Sequence, residues 1–486
     1  METQIWKWSA SDLAPAIRQR TISAREALLS CLERLDQINP YLNAVVDDLR
    51  EDALIAADAA DRAVKQKAPL GLLHGVPITV KINVDFAGRA TTNGVVAFKN
   101  AIASGDSAVI SNLRKAGAVI FGRTNVPCFS TRLFTDNDLY GRTFNPWDPG
   151  RTPGGSSGGA AAAVGTGIGA IGHGNDRAGS IRFPAYACGI FGFRPVPGRV
   201  PEYNPTNREE RNLISQLTNT QGPLARCVAD TKLAFSAMAQ EDYRDPWWLP
   251  PLDRPNSAAP CRVGLFMDMP EGKTDAVVAE AIRKVGHWLE AAGYTVEEAA
   301  PPRFAEAAHL FWDLLMSEER AASEKEMAAS TKGIEMYGDE AVKRNRRGTL
   351  AYTEALTYEN YIKGVARRTT ILREWLEFFE RFPILIMPVS SQIPFVIDYD
   401  QRGDEIVRET HLALQPSIAV SLMGLPALTA PVMIHKGIPI GIQIVAGRFQ
   451  EERCFAVGEI IERHSPVKTP IDPIRTKVTR GQSALV

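Results

Sequence analysis

Histidine is scarce and scattered in this chain. The seven histidines stand at 74, 173, 287, 309, 411, 435 and 464, and none belongs to an H-E-x-x-H or similar pair. That pattern gives no sign of a catalytic metal and marks no histidine as a general base. Cysteine is equally sparse. Cys31, Cys128, Cys188, Cys227, Cys261 and Cys454 are dispersed without a C-x-x-C, which indicates neither a disulfide framework nor a zinc site. Reduced thiols in the cytoplasm are the expectation. Charge of one sign is also missing: 55 Lys and Arg face 56 Asp and Glu, for a net charge of −1. A protein that grips nucleic acid through its phosphates would be basic, so no nucleic-acid partner is expected. The apolar stretch Ser157–Gly172 falls short of the roughly 18–20 residues a membrane span needs, and small residues dominate it. The opening METQIWKWSASDLA has neither an apolar leader core nor a twin arginine, so no secretory signal is expected.

The most informative stretch runs from Gly154 to Arg182: GGSSGGAAAAVGTGIGAIGHGNDRAGSIR. Two glycine-framed serine loops enclose a smooth run of small apolar residues. The pattern reads as two loops brought together by a helix and a strand. A flexible linker would not continue into a long uncharged run. The G-x-S-x-G esterase elbow needs a strand before its serine. Here Asn145-Pro146-Trp147-Asp148-Pro149-Gly150 precedes it and reads as turns. A phosphate loop would end in Gly-Lys-Ser/Thr, which is absent.

Along the rest of the chain, residues 9–38 read as two helices. The second opens on a Ser23–Glu26 capping box and stops at Asn39-Pro40. Asn43–Val46 is a short strand, and 50–66 an alanine-rich helix. Leu73–Val80 reads as a buried strand ending on Lys81, a position where a lysine is usually just a solvated strand end. Ser107–Leu113 and Val119–Phe121 read as a helix and a strand. Cys261–Met267, Asp275–Ala292 and Gly293–Val296 form a βαβ unit. Residues 303–382 are mostly helical and charged, a candidate lid, and Lys343–Arg347 (KRNRR) reads as a solvated helix face. Pro383–Pro388 is a buried strand. Strands alternating with helices argue for an α/β fold.

Taken together, GVPITVK at 75–81, GGSSGG at 154–159 and AGSIR at 178–182 resemble the amidase signature family. The Ser156-to-Ser180 spacing agrees, and the likeness covers nearly the whole chain. It implies one domain over 1–486: an N-terminal helical layer (1–66), a signature core (70–200), the βαβ unit (261–300), the helical segment (303–382), and closing strands and helix (383–465). The implied fold is a single large mixed β-sheet wrapped by α-helices. The implied activity is hydrolysis of a carboxylic amide C–N bond by a Ser–Ser–Lys triad, without cofactor or metal. The partner is a small-molecule amide, and a cytoplasmic homodimer is expected.

By this resemblance Ser180 attacks the carbonyl, Ser156 relays its proton, and a neutral Lys81 receives it. Burial among apolar groups can depress a lysine pKa enough for that role. The peptide bond before Ser156 is expected to be cis. The backbone N–H groups of Arg177, Ala178, Gly179 and Ser180 are the expected oxyanion donors, braced by an Asp176–Arg182 ion pair. The backbone around Ser130 and Thr131 is expected to line the acyl side, and Arg177 either binds a polar substrate group or makes a structural contact. Departures from the family pattern are Ile82 in place of Asp, Cys128 in place of Glu, and Arg177-Ala178 in place of Thr-Gly. Ile82 removes an anionic neighbour of Lys81 and so favours a neutral amine. Cys128 has nothing nearby in sequence that would activate it. The pocket is expected from 129–140, 303–350 and 391–415, where Phe311, Trp312 and Phe395 suit an aryl acyl group or plain core packing. The alternatives are the A subunit of glutamyl-tRNA amidotransferase and a non-catalytic protein on the same scaffold.

Overall fold

Eleven strands pair into one mixed sheet. They are β1 Val45–Asp48, β2 Pro77–Lys81, β3 Val119–Thr124, β4 Ile171–Asp176, β5 Phe191–Arg194, β6 Thr220–Ala225, β7 Arg262–Leu265, β8 Thr295–Glu298, β9 Ile384–Met387, β10 Ala427–His435 and β11 Ile438–Ala446. Their order across the sheet is β1-β3-β2-β4-β6-β5-β10-β11-β9-β7-β8. The structure is a computed structural model that describes residues 4–207, 210–252, 259–322 and 331–474. Residues 323–330 of the expected helical segment and 475–486 of the expected domain lie outside it.

Parallel pairing joins β2 to β3 and β4 on one side, and β7 to β8 and β9 on the other. The centre is antiparallel, through β4–β6–β5–β10–β11–β9. Helices cover the sheet, so central strands such as β2 and β11 are apolar and wholly buried. Phe193 of β5 packs on Phe235 and Phe455, with ring centroids 5.1 and 4.6 Å away. This cluster ties the sheet to the helices Val228–Met238 and Glu451–His464.

The N-terminal reading needs one correction. The helix Ala24–Leu42 runs through Pro40 instead of stopping before it. It ends at Asn43, whose backbone is left-handed, while the Asn39 side chain accepts from the amides of Ala44 and Val45 at 2.9 Å each. Proline in a last turn forfeits only its own donor, and the asparagine cap at Asn43 halts the helix three residues later. The βαβ unit is present, with Ala276–Ala291 as its helix. The hairpin β10–β11 lies inside the sheet and joins β5 to β9.

Candidate active site

The parallel strands β2 and β4 deliver their C-terminal ends to one edge, with Ile78 opposite Ile171 and Thr79 opposite Gly172. Lys81 is the last residue of β2 and has no exposed surface. Its amide donates to His173 Nδ1 at 3.3 Å, and His173 Nε2 meets Gln221 Oε1 at 2.8 Å. Nδ1 therefore accepts and Nε2 carries the proton. Burial lowers the His173 pKa to about 4, so the ring is neutral. The Lys81 amine sits 2.7 Å from Ser156 Oγ and donates to Asn175 Oδ1 at 2.6 Å. Burial drives its pKa well below the ordinary lysine value, against a weaker opposing pull from Asp176. A neutral amine keeps two N–H donors and one lone pair, so the lone pair is free to accept the Ser156 hydroxyl proton.

Ser156 lies in a tight loop between Pro153 and the buried helix Gly158–Gly165. The Gly155–Ser156 peptide bond is cis. A Cβ on Gly155 would stand 2.3 Å from the Arg132 carbonyl oxygen, so no other residue fits there. The helix and β4 carry the chain from this loop to Ser180. There the Ser157 amide donates to the Ser180 carbonyl at 3.2 Å, binding the two serine loops together. Ser180 is half-buried, and its hydroxyl has no hydrogen-bond partner among the described residues. Ser157 is fully buried behind it, its Oγ 3.4 Å from the Asn175 carbonyl.

Asp176 organises the loop that follows β4. Its carboxylate accepts from the amides of Gly179 and Ile181 at 2.8 and 3.1 Å. It also receives Arg182 through Nε and Nη2 at 3.0 Å each, and Arg194 Nη1 at 3.1 Å. Burial opposes ionisation here, but the guanidinium groups of Arg182 and Arg194 outweigh it and hold the carboxyl well below its usual range. Gly179 has φ of 114° and packs so closely that a Cβ would meet Ser417 Cβ at 3.0 Å. The expected donor set needs a correction at this residue: the Gly179 amide is engaged by Asp176. The amides of Arg177, Ala178 and Ser180 have no acceptor among the described residues. They remain open for an oxygen that gains charge.

Other expectations fare unevenly. The Ser130 hydroxyl donates to Asn93 Oδ1 at 2.6 Å and accepts from Asn83 Nδ2 at 3.1 Å. Asn83 Oδ1 in turn accepts from Asn175 Nδ2 at 2.9 Å, so Ser130 supports the Lys81 network from behind. Thr131 turns its hydroxyl onto the Phe129 carbonyl at 3.2 Å. Arg177 reaches Glu319 at 3.6 Å, which is the structural contact. The solvated-face reading of Lys343–Arg347 fails at Arg346, which is 2 % exposed and paired with Glu319. Arg344 and Arg347 do face solvent. Cys128 is buried, and burial pushes its pKa up to about 12, so it is no nucleophile. Phe311 and Phe395 belong to the core, whereas Trp312 stacks on His411 at 4.3 Å and both line a small, half-open cleft. Gln415 and Ile418 also line that cleft. Asn175, His173 and Arg194 were missed as members of the site. The period-two alternation of β4 puts His173 and Asn175 on one face, and that was the available signal.

Among the described residues, no group of three or more His, Cys, Asp or Glu is placed to hold a metal ion, and no helix is long and apolar enough to cross a membrane. Fold and site together define a hydrolase of amide bonds. The chain belongs to the amidase family, whose model, described as Amidase, matches residues 26–455. It is 42% identical over 466 residues to an indoleacetamide hydrolase of Bradyrhizobium diazoefficiens, covering 95% of this chain and 87% of that one. It is 31% identical over 479 residues to the A subunit of the glutamyl-tRNA(Gln) amidotransferase of Synechococcus sp., covering 93% and 96%. A crystal structure of a bacterial aryl acylamidase of the amidase signature enzymes superposes with a TM-score of 0.80 at 25% identity, covering 96% and 97%.

Proposed function

We propose that this amidase hydrolyses a primary arylacetamide of the indoleacetamide type to the acid and ammonia. Ser180 Oγ attacks the carbonyl carbon while its proton passes to Ser156 Oγ, whose own proton passes to the Lys81 amine. The tetrahedral oxyanion sits against the free amides of the Arg177–Ser180 loop. As the C–N bond breaks, the proton returns from Lys81 through Ser156 to the departing nitrogen. Water then cleaves the acyl-enzyme by the same relay. The observation that carries this reading is the 2.7 Å contact between Ser156 Oγ and an amine with no exposed surface. Such an amine can serve as the base that no histidine supplies. The arylacetamide preference is supported by the 42% identical relative. Six unpaired cysteines support a reducing compartment.

The test is a hydrolysis panel on purified protein: indole-3-acetamide, phenylacetamide, an acetanilide, an aliphatic primary amide and glutamine. The arylacetamides are expected to give the highest kcat/KM. Preferential turnover of the anilide would overturn the substrate class, and turnover of glutamine alone would favour the amidotransferase reading.

A further inference from the structure

The Ser180 loop is held from two sides. From within, the Asp176 carboxylate binds the amides of Gly179 and Ile181. From without, the helix Phe304–Ala321 ends against the loop, and Glu319 on its last turn lies 3.6 Å from Arg177 Nη1. Glu319 is 1 % exposed, while the Arg177 side chain is 24 % exposed. The same carboxylate pairs with the buried Arg346 of the helix Glu340–Tyr352. Its neighbour Glu318 accepts from the Ile214 amide at 3.1 Å, fastening the helix end to Leu213–Thr218, which leads into β6 beside β4. A buried carboxylate between two guanidinium groups is costly to desolvate. Among the described residues, neither oxygen of Glu319 has a well-aligned hydrogen-bond donor. The arrangement is therefore a poor stabilising device for its burial, and what it does secure is the position of Arg177.

We propose that Glu319 is a positioning residue for the Ser180 loop, acting through the Arg177 guanidinium, so that the helix Phe304–Ala321 forms part of the oxyanion apparatus. Fixing the Arg177 side chain fixes its Cα and the peptide planes that follow. The loop is then pinned at Arg177 by Glu319 and at Gly179 by Asp176, with the Ala178 amide held between. Loss of either pin lets that donor wander, and misalignment of a donor is felt when charge develops on the oxygen. This inference rests on Ser180 being the nucleophile.

The test is a double-mutant cycle with Arg177→Ala, Glu319→Gln and the double variant on phenylacetamide. Each single change is expected to lower kcat by about 10- to 100-fold with KM within about threefold, the signature of an interaction made only in the transition state. The double variant is expected to fall no more than about threefold further, since both changes remove one link. The rate of Ser180 labelling by a fluorophosphonate should drop in parallel. Independent, multiplicative losses would overturn the proposal, and so would an Arg177→Ala variant that raises KM alone, which would make Arg177 a substrate contact. Should Glu319→Gln fail to fold, Arg177→Ala still decides through its kcat-against-KM split. Ser180→Ala is the separate control: if it retained activity, the nucleophile assignment itself would fall.

Discussion

Replacing Lys81 with methionine should abolish activity and change how stability depends on pH. Lys81 has no exposed surface, and among the described residues its amine makes polar contacts with Ser156 Oγ and Asn175 Oδ1 alone. Burial pushes its pKa well below the ordinary value of about 10.4, and the proposed relay requires that the amine be neutral at pH 7 in the folded chain while it is charged in the unfolded one. Between the two pKa values the unfolded state binds one more proton. Unfolding free energy then rises with pH by about 1.4 kcal/mol per unit. Methionine fills similar volume and cannot titrate, so the variant lacks that slope. From pH 7.0 to 8.5 the wild type should therefore gain about 2 kcal/mol on Lys81→Met. At pH 7 the variant should be the more stable of the two. It loses two hydrogen bonds, worth about 1–3 kcal/mol if a partner is stranded, but it escapes about 1.4 kcal/mol for every unit of depression. Urea unfolding followed by tryptophan fluorescence at a series of pH values measures both quantities, and other titrating groups cancel in the difference. Catalysis should fall by at least about 10²- to 10⁴-fold. Parallel stability curves between pH 7 and 8.5 would refute the reasoning, because they would mean that Lys81 is charged in the folded protein and cannot accept a proton.

Ser180→Ala should eliminate both hydrolysis and labelling by a fluorophosphonate, whereas Ser157→Ala should remain active, since Ser157 is sealed behind the loop; mass spectrometry of the labelled peptide separates them. Asn175→Asp sets a carboxylate where an amide oxygen now lies 2.6 Å from the Lys81 amine. It should raise the lysine pKa and move the acidic limb of the kcat/KM profile upward by about a unit or more, with activity recovering at high pH. Asp176→Asn leaves Arg182 and Arg194 facing each other without the anion between them, at a cost of about 3–5 kcal/mol in urea unfolding. The carboxyl of Asp176 is depressed in the folded state, so its contribution is present above about pH 4 and is lost as pH falls. Acid unfolding of the wild type should accordingly be steeper than that of the variant.

Much of the site could be read from the chain because its chemistry demands particular residues at particular points. Gly155 and Gly179 stand where a Cβ would strike Arg132 and Ser417, and Lys81 must end a buried strand to lose its charge. Such constraints leave a local mark. Arg346 left none, because a cluster of basic residues on an amphipathic helix looks the same whether one member faces water or a buried glutamate on another helix. Glu319 was invisible for the same reason: its partner Arg177 is remote in sequence, and only tertiary packing joins them. Asn175 sat in plain view beside Asp176, but a single asparagine at a strand end has many uses. Pro40 misled because proline disfavours a helix interior, whereas here it occupies the last turn.

The charges around Asp176 explain how one strand end serves two opposed needs. The loop requires an anion to gather the amides of Gly179 and Ile181, yet an anion near Lys81 would favour the protonated amine and disable the base. Asp176 does pull in that direction. Burial of Lys81 overrides that pull, and Arg182 and Arg194 both pair with the carboxylate, so that the cluster carries one net positive charge. Seen from the Ala178 and Ser180 amides, the same excess favours an oxygen that becomes negative. Ile82 works toward the same end, since it presents an apolar side chain where the family usually has a carboxylate. On the proposed mechanism the neutral base follows first from burial and the stabilised oxyanion from this distribution of charge, and a substitution that adds an anion on either side of Asp176 should weaken both at once.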